Sequence, residues 1–173
     1  MSGLFCIPVK GIKDGHHTYK FEIRNEFFEL FEESEIKEGE LNVTAGIEKY
    51  ASHMDLNMRI SGKVKISCDR CLEMFYHPLE CENRLVIKFG HEHDESDPDV
   101  VILSHDDHEL DLKQYIYEFI HLSLPIQRFH PDDDKGYSTC NPEMLQKLRE
   151  HLVKEKDTID MRWEGLDKLI KDN

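Results

Sequence analysis

Residues Gly62–Glu73 read GKVKISCDRCLE and combine a strand pattern with a pair of cysteines. Val64, Ile66 and Cys68 alternate with polar residues, which is the period of a strand with one buried face. The strand leads directly into Cys68 and Cys71, which are separated by two residues. Two thiols at this spacing favour a metal site or a redox dithiol, and a reduced turn without metal is the third interpretation.

Alternating apolar residues predict further strands on both sides of this stretch. Leu41–Ile47 and Met54–Ile60 follow the two-residue period, and Gly62 indicates a bend or bulge after the second run. Met74–Phe89 continues the alternation, interrupted by Pro78. Shorter strands are expected near residues 4–9, 19–23 and 100–103. Successive strands joined by short turns favour an antiparallel, curled or barrel-like sheet over about residues 4–103.

About residues 109–170 carry helical patterns instead. Apolar residues between positions 112 and 120 recur at helical spacing, with Asp111 as the N-cap and Pro125 just past the end. A second helix is expected over Pro142–Lys154 and a third over Met161–Ile170. The predicted fold class is therefore α+β, with about three C-terminal helices packed on the sheet in a single domain spanning residues 1–173.

Composition and charge narrow the classes of function. At 173 residues and 39% hydrophobic content, the chain can bury one sizeable core. Its 22 basic and 36 acidic residues give 22 − 36 = −14, so phosphate backbones are repelled and basic proteins are favoured partners. No apolar run reaches the roughly 18–20 residues that span a bilayer. The five cysteines and the absence of a signal-peptide pattern predict a cytoplasmic protein.

Two acidic segments bear on the choice of partner. Residues 26–40 place phenylalanines among glutamates, which indicates a short helix or loop with one apolar side, or alternatively a surface for a basic partner. Residues 90–99, GHEHDESDPD, are expected to form a loop. His91 and His93 could bind a metal together with the carboxylates, but we expect them to be solvated instead. This loop and the irregular segment at residues 126–141 are both expected to be mobile.

No catalytic motif accompanies the cysteines. The sequence lacks a glycine-rich phosphate loop, a Gly-x-Ser-x-Gly elbow and a His-Glu-x-x-His motif, so no residue is assigned a catalytic role. Cys140, with His130 ten residues upstream, supplies the two ligands that Cys68 and Cys71 need for a four-coordinate structural zinc site. The remaining cysteines are interpreted as small core residues: Cys6 and Cys81.

The order of four sequence blocks resembles the YceD family, whose members are also called large ribosomal RNA subunit accumulation proteins. The blocks are GxVxxxCDRCLE from Gly62 to Glu73, ELDL from Glu109 to Leu112, LSLP from Leu122 to Pro125, and DMRWxxLxxL from Asp160 to Leu169. The resemblance extends over about residues 20–170. Many members carry further cysteines after the Leu-Pro block, whereas this sequence has Cys140 alone, with His130 upstream, and Met161 in place of a proline.

The resemblance implies a bacterial-type, cytoplasmic, non-catalytic factor that supports accumulation or processing of 23S ribosomal RNA and assembly of the large ribosomal subunit. The charge of −14 then favours a basic ribosomal protein or a large-subunit assembly factor as the partner, with indirect or local contact to ribosomal RNA. No membrane and no small-molecule substrate are expected. Two alternatives stay open: a thiol- or metal-dependent RNA-processing enzyme, and a direct RNA-binding module.

Overall fold

The computed structural model describes residues 4–90, 99–104 and 106–152. Within them the chain forms β1 (Cys6–Pro8), β2 (Gly15–Ile23), α1 (Asn25–Phe28), β3 (Gly39–Lys49), β4 (His53–Ser67), β5 (Met74–Phe89), β6 (Val100–Leu103), β7 (Glu109–Asp111), α2 (Lys113–Leu122) and α3 (Pro142–His151). The predicted α+β class is confirmed. The third predicted helix, Met161–Ile170, lies outside the described residues.

Five strands form one sheet in the order β2-β3-β4-β5-β6, and β1 pairs with β7 in a separate two-stranded sheet. The barrel-like part of the prediction is not confirmed, because β2 and β6 lie at opposite edges of the larger sheet. The sheet is also mixed, since β6 runs parallel to β5. The connection between β5 and β6, residues 90–99, is longer than the two-residue turn that can join antiparallel strands.

The long hairpin of β4 and β5 is the centre of the sheet. Its strands pair one-to-one from His53↔Lys88 to Ser67↔Met74, and β3 pairs along the other side of β4. Alternate side chains of β4, such as Leu56 and Ile60, are fully buried, while their neighbours face outward. This alternation follows from the two-residue period of the sequence, so the predicted strands and their buried face are confirmed.

Gly62 allows an unusually close approach of β3 to β4. Its φ is +151°, and a Cβ at this position would lie 2.1 Å from the carbonyl oxygen of Glu40. The expected bulge is absent, because the pairing on both sides of β4 continues without an inserted residue. The irregularity predicted here is confined to the backbone conformation of the glycine.

The helices cover the sheet unevenly. In α2, Ile116, Phe119 and Ile120 are buried, and the helix ends before Pro125 as predicted. Its start is corrected, because residues 109–111 form β7 and not the first helical turn. The N-cap is Leu112 and not Asp111 as predicted, although Asp111 Oδ1 accepts a hydrogen bond from the Lys113 N–H at 2.8 Å, just before the helix. None of the described helices has the length and apolar content needed to cross a membrane.

The helix α3 ends three residues earlier than predicted, at His151, and none of its residues is fully buried. Its predicted apolar stripe is divided. Met144 and Leu145 pack against the edge of the core, whereas Leu148 is 43% exposed and Leu152, just past the helix, is 61% exposed.

Replacing Gly62 with alanine should destabilise the protein by about 2–4 kcal/mol, because the new Cβ would force the backbones of β3 and β4 apart and adopt an unfavourable φ. The free energy of unfolding in urea measures this effect. Gly46→Ala is the matched control in β3, where the nearest atom, in the His16 side chain, would be 3.5 Å from the new Cβ. Equal losses for the two variants would contradict the proposed close approach.

Candidate metal centre

Four side chains converge at the tip of the β4–β5 hairpin: Cys68, Cys71, His130 and Cys140. Their ligand atoms all lie within 4.8 Å of one another. The Sγ atoms of Cys68 and Cys140 are 3.6 Å apart. The Nδ1 atom of His130 is 3.4 Å from Cys71 Sγ and 3.7 Å from Cys140 Sγ. The structure therefore brings together all four residues that the sequence suggested as metal ligands.

The hairpin turn orients the first two cysteines. The Leu72 N–H donates a hydrogen bond to the Cys68 carbonyl at 2.9 Å, and the Cys68 N–H donates to the Glu73 carbonyl at 3.0 Å. These bonds close a tight loop that directs both thiols to the same side. The loop requires a positive φ of 61° at Leu72, the one non-glycine residue in the described part of the chain with such a backbone. Glycine is the residue that normally occupies this conformation.

The segment that carries His130 is attached to this turn through its backbone. The Asp69 N–H donates to the Arg128 carbonyl at 2.8 Å, and the Arg128 N–H donates to Asp69 Oδ2 at 2.7 Å. The guanidinium group of Arg70 lies 3.9 Å from the centre of the Phe129 ring. These contacts hold residues 128–130 beside the cysteine pair, which places the imidazole of His130 against the thiols.

Cys140 is positioned by the start of α3. The next residue, Asn141, is the N-cap, and its Oδ1 accepts from the Glu143 N–H at 2.9 Å. Its Nδ2 donates to Glu73 Oε1 at 2.7 Å, which ties the helix to the hairpin turn. The ring of His130 is supported by Phe75, at a distance of 4.6 Å between ring centres. Both sides of the cluster are thus anchored to β5 or to the turn before it.

The cluster is shielded from solvent, and its electrostatics favour a thiolate. All three cysteines are buried, and His130 is half-buried. Burial acts to raise the pKa of the Cys68 thiol, but hydrogen bonds from the backbone N–H groups of Cys71, Arg70 and His130 outweigh it and lower the pKa to about 6. Burial raises the pKa of Cys140 instead. One of the two neighbouring sulfurs is therefore prepared to carry a negative charge.

Three sulfurs and one imidazole nitrogen at these distances form a donor set suited to a soft divalent metal. The four donors would fill a tetrahedral coordination shell without leaving a position for a substrate. A redox interpretation of Cys68 and Cys71 as an isolated dithiol accounts less well for the site, since His130 and Cys140 approach both of them.

Some supporting residues were not found from the sequence. The contacts of Asp69 with Arg128, and of Phe75 with His130, join segments far apart in the chain and have no local pattern. The role of Asn141 could have been found, because an asparagine followed by proline is a helix-start signal and it directly follows Cys140.

The residues outside the cluster have separate positions. Cys81 packs at the edge of the core, with its Sγ 3.9 Å from the Phe119 carbonyl, and Cys6 is half-buried. The alternative ligands His91 and His93 lie outside the described residues.

Leu72→Gly should leave the protein equally stable or stabilise it by up to about 1 kcal/mol, because glycine adopts a positive φ without the penalty paid by leucine. Little burial is lost, since Leu72 is 69% exposed. The comparison variant is Leu30→Gly, which removes a leucine that is 44% exposed and has no positive φ, and which should be destabilising. Thermal unfolding measures both. A marked loss of stability in Leu72→Gly alone would contradict the strain at this turn.

Comparisons with known proteins add an independent observation. The uncharacterized protein YlbN of Bacillus subtilis (strain 168) is 28% identical over 122 residues, which cover 70% of this chain and 69% of the relative. No solved structure matches the chain. A family model described as "Large ribosomal RNA subunit accumulation protein YceD" matches residues 56–170, a range that includes all four clustered residues but not the first three strands. The chain therefore belongs to the YceD family of large ribosomal RNA subunit accumulation proteins.

Proposed function

We propose that this protein is a non-catalytic factor in biogenesis of the large ribosomal subunit, and that it supports accumulation or processing of 23S ribosomal RNA. The observation that carries the proposal is the family match over residues 56–170, which includes the central hairpin, α2, α3 and the cysteine cluster. The family's description refers to accumulation of the large ribosomal RNA, and the proposal extends this role to the present chain.

The distribution of charge supports a protein partner over direct binding of RNA. Phosphate contacts require unpaired lysines and arginines, and the chain carries a net charge of −14. In the described residues, six of the 17 lysines and arginines already face a carboxylate. The pairs are Arg24–Glu22, Arg59–Glu82, Lys63–Glu40, Lys65–Glu38, Arg84–Asp55 and Arg128–Glu35. A basic ribosomal protein or a basic assembly factor is therefore the proposed partner.

The acidic segment at residues 26–40 is suited to such a partner. Phe27, Phe28 and Ile36 are buried, which accounts for the apolar side of the segment as core. Glu26, Glu29 and Glu32 face solvent. The segment thus combines a fixed backbone with exposed negative charge. The second acidic segment of the proposal, Glu92–Asp99, lies outside the described residues except for Asp99.

The proposed metal is zinc, held by Cys68, Cys71, His130 and Cys140. When bound, zinc would supply a cross-link between the hairpin turn and the segment that leads to α3. The buried donors and the complete set of four ligands favour this structural role over catalysis, because a catalytic zinc keeps one position open for water or substrate. The same argument makes a metal-dependent RNA-processing enzyme the less favoured alternative.

Purified protein should contain about one zinc per chain by elemental analysis. Cys68→Ser and Cys71→Ser should each remove most of this zinc, since the remaining donors no longer complete a four-coordinate site. Cys81→Ser is the matched control, because it changes a cysteine outside the cluster, and it should retain the metal. Folded wild-type protein without metal, or equal zinc content in Cys68→Ser and wild type, would contradict the zinc assignment.

Depletion of the protein in cells should reduce mature 23S ribosomal RNA and cause precursors of the large subunit to accumulate, while small-subunit RNA stays unchanged. Northern analysis and sucrose-gradient profiles measure this outcome. Affinity capture at moderate salt should recover a basic ribosomal protein or assembly factor both with and without nuclease treatment.

Two results would contradict the proposal. Unaltered 23S ribosomal RNA after depletion of the protein would contradict a role in its accumulation or processing. Loss of every captured partner after nuclease treatment would indicate that the protein binds RNA and not a protein partner. Cleavage of a precursor transcript by the purified protein, abolished in Cys68→Ser, would favour the enzymatic alternative.

A further inference from the structure

Among the described residues, four strands have one edge without a neighbouring strand, and two of them are β6 and β7. β6 is the last strand of the five-stranded sheet and pairs with β5 alone, and β7 pairs with β1 alone. An unpaired edge presents a row of backbone N–H and C=O groups that can bind another extended chain. These two edges are noteworthy because both strands line the same cavity.

In β6, the hydrogen bonds to β5 identify which backbone groups point outward. The Val86 N–H donates to the Asp99 carbonyl at 2.7 Å, and the Gly90 N–H donates to the Leu103 carbonyl at 3.0 Å. Because backbone groups alternate in direction along a strand, Val100 and Ile102 direct theirs to the opposite side. No described residue forms a backbone hydrogen bond with these outward groups.

In β7, the same alternation places the backbone groups of Glu109 and Asp111 on the outer edge. Glu109 is paired with Pro8, which has no N–H, so this pair does not exchange hydrogen bonds with β1. The hydrogen bonds on either side show the same alternation. The Val9 N–H donates to the His108 carbonyl at 2.9 Å, and the Leu112 N–H donates to the Phe5 carbonyl at 2.9 Å. No described residue forms a backbone hydrogen bond with the outward groups of β7.

A cavity of about 650 Å³ lies between these strands and the start of α2. Ile102 and Leu103 line it from β6, Leu110 from β7 and Tyr115 from α2. Its volume is within the range of small-molecule sites in proteins. The four residues of β6 extend over about 13 Å, which matches a short added strand.

The rim of the cavity is acidic. Asp107, Glu109, Asp111 and Glu118 line it and are exposed, whereas Lys113 is the one basic residue in its lining. None of the four carboxylates forms an ion pair with a lysine or arginine of the described residues. Their negative charge is thus available to a basic ligand, and it disfavours the phosphates of RNA.

We propose that the cavity between β6 and β7 binds an extended, lysine- or arginine-containing segment of a partner protein by strand addition. The segment pairs through its backbone with the outward groups of Ile102 on one side or of Glu109 and Asp111 on the other. Its apolar side chains face Leu103 and Leu110, and its alternate basic side chains meet the acidic rim. Identification of this segment with a ribosomal protein rests on the proposed function, whereas the site itself rests on the strand edges and charges.

The test uses the full-length protein and a fluorescein-labelled ten-residue peptide that alternates valine and lysine. A peptide that alternates valine and glutamate is its matched control. Fluorescence anisotropy gives the affinity, and hydrogen exchange of the amides of Ile102, Glu109 and Asp111 reports pairing at the edges. We expect the lysine peptide to bind at least roughly tenfold more tightly than the glutamate peptide, with slower exchange of amides on at least one of the two edges.

Three variants locate the binding. Ile102→Pro removes an outward N–H but leaves the hydrogen bonds of β6 to β5 in place, and Glu109→Lys reverses one charge of the rim. Each should weaken binding of the lysine peptide roughly tenfold. Glu80→Lys makes the same charge change at an exposed position of β5 outside the cavity, and its affinity should stay within about twofold of wild type. Circular dichroism checks that each variant is folded.

Several outcomes would overturn the site. These are no binding of the lysine peptide to wild type, equal binding of both peptides, unchanged amide exchange on both edges, or equal effects of Glu109→Lys and Glu80→Lys. Should Ile102→Pro fail to fold, the charge pair and the exchange measurement still decide the question. Peptide binding at the strand edges in a protein whose depletion leaves 23S ribosomal RNA unaltered would support the site and reject the proposed function.

Discussion

The uninterrupted pairing of β4 with β5 is the constraint on which the rest of the structure depends. Fifteen consecutive residues of β4 have partners in β5, and the turn between the two strands contains Cys68 and Cys71. A shift of one residue in this register would move every buried side chain of the hairpin to the outer face. It would also separate Cys68 and Cys71 from the residues that approach them. The core and the cluster are therefore specified by the same set of backbone hydrogen bonds.

Much of the fold could be predicted from local patterns. The alternation of Leu41–Ile47 and Met54–Ile60 correctly identified two central strands, because a half-buried strand imposes a two-residue period on its own sequence. The parallel pairing of β6 with β5 could not be predicted, because the direction of pairing leaves no periodic signal in the sequence of either strand. The strand β7 over Glu109–Asp111 was missed for a similar reason, since its partner is the distant β1.

The metal-ligating residues could also be predicted from the sequence, but the contacts that position them could not. The ligands could be proposed because cysteine and histidine are chemically distinctive and few in number, so that Cys68, Cys71, His130 and Cys140 formed a natural set. The contacts that hold them in place could not, since Asp69 and Arg128 are ordinary surface residues until the fold brings their backbones together. The acidic rim between β6 and β7 was not predicted either: Asp107, Glu109 and Asp111 are close in sequence, but the cavity that they line forms only when α2 packs beside the two strands.

The weak burial of α3 has a consequence for how the protein unfolds. None of its residues is fully buried, and the helix is attached through Cys140, the bond from Asn141 to Glu73, and the packing of Met144 and Leu145 at the edge of the core. Because little of the helix is buried, we expect α3 to unfold locally at a lower free-energy cost than the strands of the sheet. A metal bound at Cys140 would therefore stabilise the start of α3, and its loss would leave the helix less ordered.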